Sequence, residues 1–223
     1  MLVLSWNLYH GRSVPPSGRN LYREFAEKLA GWQWDVALLQ EVPPWWPHAL
    51  GADCRAEAHL ALTSRNLFLP LRRFIAERRP DVIKSNGGGS NAILLRGLYG
   101  TDPRVAVLRT VPERRVVHGV RTSEGWIANL HAQVHSEKRA QSDTAAAAAH
   151  VLGWAGDAPV ILGGDFNTRA PRAPGLTDLG GYRVDRVLGR GWVAAGPART
   201  LDHGRLSDHP PVVVDLNREG SKA

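Results

Sequence analysis

Cysteine is almost missing from this chain. Cys54 stands alone among 223 residues, so no intrachain disulfide can form and a thiolate metal cluster is excluded. A lone thiol suits a reducing compartment. Long apolar runs are missing too, since no stretch approaches the roughly 18 residues that a membrane-crossing helix needs. The chain opens Met1-Leu2-Val3-Leu4-Ser5-Trp6-Asn7, with no basic leader, extended apolar segment or small-residue cleavage site. A cytoplasmic protein is therefore the expectation. There is no repeat period, and low complexity is confined to the alanines of 145–149, a strong helix former.

What is present is an ordinary globular composition with an unusual charge. The hydrophobic share of 43% and charged share of 22% argue against disorder. The net charge is +7 and the pI near 10.2, much of it from arginine pairs such as Arg72-Arg73, Arg78-Arg79 and Arg114-Arg115. Such a field attracts anions over a Debye length of roughly 8–10 Å. The plain alternative is a solvated surface, because no basic run exceeds a few residues.

Short apolar runs at 2–6, 36–39, 92–95, 105–110, 115–120, 126–130, 160–162, 183–188 and 211–216 read as strands. Helical spacing fits 20–31, where Leu21, Phe25 and Leu29 share a face, and 64–79, where Leu67, Leu71, Phe74 and Ile75 do. It also fits 136–154, with Ser136 as N-cap. The Pro/Gly-rich stretch 168–181 reads as one long loop within a single domain of residues 1–218, followed by a tail of 219–223. The expected class is α/β or α+β with extensive sheet.

Polar groups recur just where these strands run out. Asn7, Gln40-Glu41, His131, and Asp165 with Asn167 each follow an apolar run. Strand ends that converge would gather them at one rim. With Asp185, Asp208 and His209 they form a hard, oxygen-rich set that suits magnesium, calcium or manganese better than zinc. Singly, each has a plainer reading as a turn, cap or scaffold residue. The glycine run 86–91 lacks phosphate-loop spacing. The ordered set is what outweighs these readings.

Ser5-Trp6-Asn7, Leu39-Gln40-Glu41-Val42, Asn91-Ala92-Ile93-Leu94, Asn129-Leu130-His131, Gly163-Gly164-Asp165-Phe166-Asn167, Val184-Asp185-Arg186-Val187 and Leu206-Ser207-Asp208-His209-Pro210 together resemble the endonuclease/exonuclease/phosphatase (DNase I-like) superfamily. The resemblance implies a four-layered α/β sandwich, two packed mainly antiparallel sheets flanked by helices. It also implies a metal-dependent hydrolase of phosphoester bonds. In that pattern Asp165 orients or deprotonates the attacking water and Asn167 holds it. Glu41, Asn7 and Asp208 hold Mg²⁺, for which Mn²⁺ would substitute. His209, paired with Asp185, and His131 donate to nonbridging oxygens.

The chain departs from the family pattern in places. Only 17 residues separate Asn167 from Asp185, so that wall of the cleft is expected to be cut back. The insertion loops of abasic-site endonucleases are not evident, and His131 differs from their pattern. No carboxylate partner for His131 stands out, with Glu57 and Glu77 unaligned. Trp45, in Trp45-Trp46-Pro47, is a candidate stacking platform for substrate, His10 a candidate contact, and Asn91 is carried over as a third. Arg12, Arg169 and Arg186 are possible phosphate contacts by position, and His203 a rim residue. His48, His59, His118, His135 and His150 are read as scaffold or surface. The leading expectation is a monomeric nuclease acting on DNA or RNA, given the basic charge. The alternatives are a phosphatase or phosphodiesterase on small phosphoesters such as an inositol phosphate, lipid headgroup or nucleotide, and a noncatalytic binding protein. No apolar hairpin marks a membrane contact in the sequence.

Overall fold

Alternation along the strands builds the layers. The computed structural model describes residues 1–63, 66–84 and 89–220. In β1 (Leu2–Asn7) and β2 (Val36–Val42), Val3, Val36 and Leu38 turn one way. Leu4, Trp6, Ala37 and Leu39 turn the other. That is the two-residue period of a sheet covered on both faces. β4 (Ser90–Leu95) behaves likewise, with Ile93 and Leu95 on one side and Ala92 and Leu94 on the other.

Three apolar clusters result, and three cores make four layers. α1 (Tyr22–Gly31) and α2 (Pro47–Asp53) lay Phe25, Leu29 and Leu50 on the outer face of the first sheet against Trp6. The two sheets meet through Val3, Leu38, Ile93, Ile127, Ile161 and Val214. α5 (Glu137–Ala155) presses Ala140, Ala147, Ala148 and Val151 onto the far face of the second sheet. Each fully buried Leu or Phe of this kind stabilises the fold by ~1.5–3 kcal/mol. The expected cap of α5 is present, the Ser136 hydroxyl accepting from the Arg139 amide at 3.3 Å.

The remaining strands are β3 (Glu57–Leu62), β5 (Thr101–Arg109), β6 (Arg115–Thr122), β7 (Gly125–His131), β8 (Val160–Asp165), β9 (Thr177–Tyr182), β10 (Asp185–Arg190), β11 (Trp192–Ala194), β12 (Arg199–Thr200) and β13 (Val212–Arg218). Among the described residues the first sheet runs β11-β13-β1-β2-β4-β3, with β12 beside β13, and the second β5-β6-β7-β8-β10-β9. Each sheet has one parallel pair, β1 with β2 and β7 with β8, and is otherwise antiparallel.

Three sequence expectations are corrected. The stretch 168–181 is not all loop, because β9 begins at Thr177 and pairs along β10 as the edge of the second sheet. Its Thr-Asp-Leu-Gly-Gly-Tyr sequence has weak strand propensity and is held by its partner. β3, another edge, was not anticipated from its half-polar sequence. The helix expected over 64–79 is α3 (Leu69–Arg78), followed by α4 (Pro80–Ile83), with Ser64 and Arg65 outside the described residues. Pro70 in its first turn suits a helix start. α3 buries no residue, and the shared face of Leu71 and Phe74 points to solvent. Both outer sheet faces are already covered by α1, α2 and α5, which leaves α3 no core to join. Of the glycine run 86–91, Asn86, Gly87 and Gly88 also lie outside the described residues.

Candidate active site

Register gathers the polar strand ends. In the first sheet Asn7 lies beside Gln40, the last pair of the parallel β1–β2 ladder. In the second, His131, Asp165 and Asp185 sit side by side across β7, β8 and β10. The close approach of β7 and β8 explains the second glycine of Gly163-Gly164-Asp165. Gly164 has φ 142°, and a Cβ there would stand 1.9 Å from the Leu130 carbonyl oxygen. No other residue fits without moving the strand that carries Asp165.

A β-bulge aims Glu41. Leu39 faces Ala92 and Val42 faces Ser90, so Gln40 and Glu41 together oppose Asn91. Glu41 takes φ 50° and reaches the cleft, where His10 Nε2 lies 3.1 Å from its Oε2. Gln40 turns inward instead. Its Nε2 donates to Asn129 Oδ1 at 2.9 Å, and Asn129 Nδ2 donates to the Leu39 and Ala92 carbonyls at 2.8 and 2.9 Å. This fully buried polar strut ties the two sheets together beneath the site.

The last motif is pinned to β1. Ser207 Oγ donates to the Asn7 carbonyl at 2.6 Å and accepts from the His209 amide at 3.0 Å. Trp6 Nε1 donates to the His209 carbonyl at 2.9 Å. His209 Nδ1 then meets Asp185 Oδ2 at 2.8 Å, while its Nε2 faces Asp165 Oδ2 at 3.9 Å. Asp165 accepts from Asn7 Nδ2 at 3.0 Å and from the Asn167 amide at 2.9 Å. Asn167 Nδ2 donates to the Ala132 carbonyl at 3.0 Å. His131 Nε2 stands 3.7 Å from Asp165 Oδ2 and 3.8 Å from Glu41 Oε1, which is beyond a hydrogen bond but close enough to feel both charges.

Burial and charge separate the protonation states. Burial pushes the Asp165 carboxyl well above the usual carboxylate range, and the Asp185 charge adds to it. Asp185 is also raised by burial. Burial alone would lower His209, but the Asp185 hydrogen bond and the charges of Asp185, Asp165 and Asp208 outweigh it and hold the imidazole at about 9. His131 moves the other way, driven well down by burial and then by Arg115, His209 and His10. His209 is thus biased toward imidazolium and His131 toward the neutral form, beside an Asp165 carboxyl of unusual basicity.

These groups face a cleft of about 700 Å³ lined by Asn7, His10, Glu41, His131, Asp165, Asn167, Asp208 and His209. Other predicted residues lie elsewhere. Asn91 is fully buried opposite the bulge, with neither side-chain amide atom hydrogen-bonded, and is not on the cleft wall. Trp45 is half-buried beside Trp46 in a separate hollow under α3. His203 lies in another surface depression. Arg12 is taken up by Asp81 at 3.2 Å and Arg186 by Asp178. Conversely, His135, read as scaffold or surface, lines the cleft together with Tyr9, Arg72, Arg114 and Arg115. The doubled arginines at 72–73 and 114–115 were the available signal, although only position in the fold separates a cleft arginine from a solvated one.

The donor set fits a hard divalent cation. Glu41, Asn7 and Asp208, with carboxylate and amide oxygens, line one cleft, where Asn7 Oδ1 also accepts from the Tyr9 amide at 2.9 Å. Nearby, Asp165 and Asp185 crowd negative charge into a buried space, and Asp185 Oδ1 is buried without a hydrogen-bond partner. Asp165, Asp185 and His209 also bring ligand atoms within 4.8 Å of one another. In that trio His209 Nδ1 is already engaged by Asp185 Oδ2 at 2.8 Å.

Residues 4–209 match the model of the Endonuclease/Exonuclease/phosphatase family. No curated protein sequence matches significantly. Among solved structures the chain is similar to a mannosyl-6-phosphatase from Bacteroides thetaiotaomicron, at 15% identity and TM-score 0.72, covering 97% of this chain and 99% of that one. It is similar to an endonuclease/exonuclease/phosphatase from Beutenbergia cavernae, at 18% identity and TM-score 0.72, covering 99% and 72%. It also resembles truncated TDP2 from Caenorhabditis elegans, at 16% identity and TM-score 0.66, covering 96% of each. At these identities the likeness shows the shared fold.

Proposed function

Because the chain belongs to the endonuclease/exonuclease/phosphatase family, whose members hydrolyse phosphoesters, we propose that it cleaves phosphodiesters by metal-assisted attack of water, with nucleic acid as the leading substrate. The observation that carries this reading is the buried Asp165, raised in pKa and held by Asn7 and the Asn167 amide, opposite an imidazolium clamped by Asp185. A carboxylate titrating nearer neutrality than usual is a better base for water. Asp165 takes a proton from water as the oxygen attacks phosphorus, and the ester P–O bond opposite breaks, its electron pair leaving on the ester oxygen, which takes a proton from solvent. Asn167 and Asn7 fix the carboxylate so that one lone pair faces the water. His209 Nε2–H and the N–H of neutral His131 donate to nonbridging oxygens, whose charge grows in the transition state. Mg²⁺, or Mn²⁺ in its place, would be held by Glu41, Asn7 and Asp208 and would supply Lewis-acid charge neutralisation. His10 against Glu41 would position that ligand.

Arg72, Arg114 and Arg115 on the cleft wall, with the +7 net charge, support a polyanionic substrate. A second reading, small phosphoesters including lipid headgroups, draws support from the apolar residues exposed on α3, the helix that brings Arg72 to the cleft. The test is hydrolysis of supercoiled plasmid, single-stranded DNA, RNA, bis-p-nitrophenyl phosphate and inositol phosphates with Mg²⁺, Mn²⁺ or EDTA, beside Asp165→Asn. Metal-dependent plasmid nicking lost in the variant is expected. Turnover confined to small esters would move the assignment to the second reading, and silence on every substrate would refute both.

A further inference from the structure

Residues 66–84 form an arm whose surface inverts the usual rule of burial. Leu67, Phe68, Leu71, Phe74 and Val82 are 64, 70, 60, 54 and 71% exposed, and α3 between them buries nothing. The arm is nonetheless anchored at its base. Asp81 binds Arg12 Nε at 3.2 Å and the Gly18 amide at 2.6 Å. Isolated exposed apolar residues need no explanation, but five on one short arm mark a contact surface.

Charge narrows the occupant. The same segment carries five basic residues, Arg72, Arg73, Arg78, Arg79 and Lys84, against Glu77 and Asp81. Both acids are engaged within the protein, Glu77 by Arg73 and Asp81 by Arg12. A second copy across a twofold axis would set like charges against each other. Nucleic acid would meet the cations but leave aliphatic Leu67, Leu71 and Val82 in water, since these have no ring to stack on a base. An anionic lipid surface satisfies both features, because apolar side chains enter the acyl boundary while arginine heads stay among the phosphates. The Arg78 guanidinium lies 3.7 Å from the Phe74 ring centroid, so cation and apolar surface adjoin on this arm.

We propose that the α3–α4 arm docks the protein reversibly on anionic bilayers, bringing the cleft that Arg72 lines close to the lipid headgroups. The proposal concerns binding and holds whichever phosphoester the cleft cleaves. Its test is co-sedimentation of the full chain with phosphatidylglycerol-containing vesicles and with pure phosphatidylcholine vesicles, comparing the native protein with Leu71→Glu/Phe74→Glu. Thermal unfolding serves as the fold control, and plasmid binding and gel filtration are run alongside. Both substituted residues are over half exposed, so the unfolding midpoint should not move. Binding to the anionic vesicles is expected, weakened at least about tenfold by the double substitution, by high salt and by removing the anionic lipid. Absence of native binding, or equal binding by the variant, would overturn the proposal. So would a dimer or a plasmid complex that the same substitutions dissolve while vesicles are ignored.

Discussion

The polar rim of the cleft and the α3–α4 arm break opposite halves of the same rule. At the rim, Asn7, His131, Asp165 and Asp185 are polar and at most 6% exposed. On the arm, apolar side chains stand in water. Both arrangements are costly in isolation. At the rim the cost is offset inside the protein, by partners such as Asn7 for Asp165 and His209 for Asp185. On the arm, among the described residues, only the Arg78 guanidinium is seen over the Phe74 ring, and Leu71 and Phe74 stay more than half exposed. Most of the rim's polar groups are thus satisfied within the fold, whereas the proposed bilayer contact would cover the arm.

The comparison breaks most readily at Asp165. If the rim's buried charge serves chemistry, Asp165→Asn and His209→Ala should each lower kcat by ~10²–10³, about 3–4 kcal/mol of transition-state stabilisation, with far-UV circular dichroism unchanged. A variant keeping more than about a tenth of native turnover would remove the role assigned to that residue. The polar strut gives the next largest effect, this time on stability. Asn129→Ala leaves Gln40 and the Leu39 and Ala92 carbonyls without their buried partner. A loss of about 2–3 kcal/mol is expected in urea titrations, and a neutral result would show that the sheets close over the gap.

A third experiment separates the two imidazoles. If His209 must be protonated, activity should fall as pH rises through about 9, and the stability of its ion pair should fade over the same rise, being fully present below the ordinary imidazole value. Asp185→Asn removes the hydrogen bond and charge that outweigh burial, so the alkaline limb of kcat/KM should move to lower pH. An unmoved limb would assign it to another group. His131, already neutral, should contribute no limb near neutrality.

Much of the rim was legible because its residues sit where apolar runs end, and strand ends are where register brings distant segments together. The order of the motifs added what periodicity could not. Other features depend on partners rather than on local sequence. β9 and β3 are edges held by β10 and β4. The bulge that sends Glu41 outward and Gln40 inward is visible only in the slip against β4. Asn91 shares a motif with the strand that faces that bulge, yet the fold buries it. His135 entered the cleft without any pattern around it to say so. For α3 the helical spacing of Leu71, Phe74 and Ile75 was plain, but periodicity reports that a face is apolar and not what lies against it.

The smallest predicted effect therefore discriminates most sharply between the two regions. Leu71→Ala and Phe74→Ala should change unfolding free energy by less than about 0.5 kcal/mol, because each residue stays more than half exposed in the fold. Leu38→Ala, fully buried between the sheets, should cost ~2–5 kcal/mol in the same assay. Were Phe74→Ala to cost as much as Leu38→Ala, the arm would be packed in solution against the protein itself. Its apolar face would then belong to the core, and the contrast with the rim would disappear.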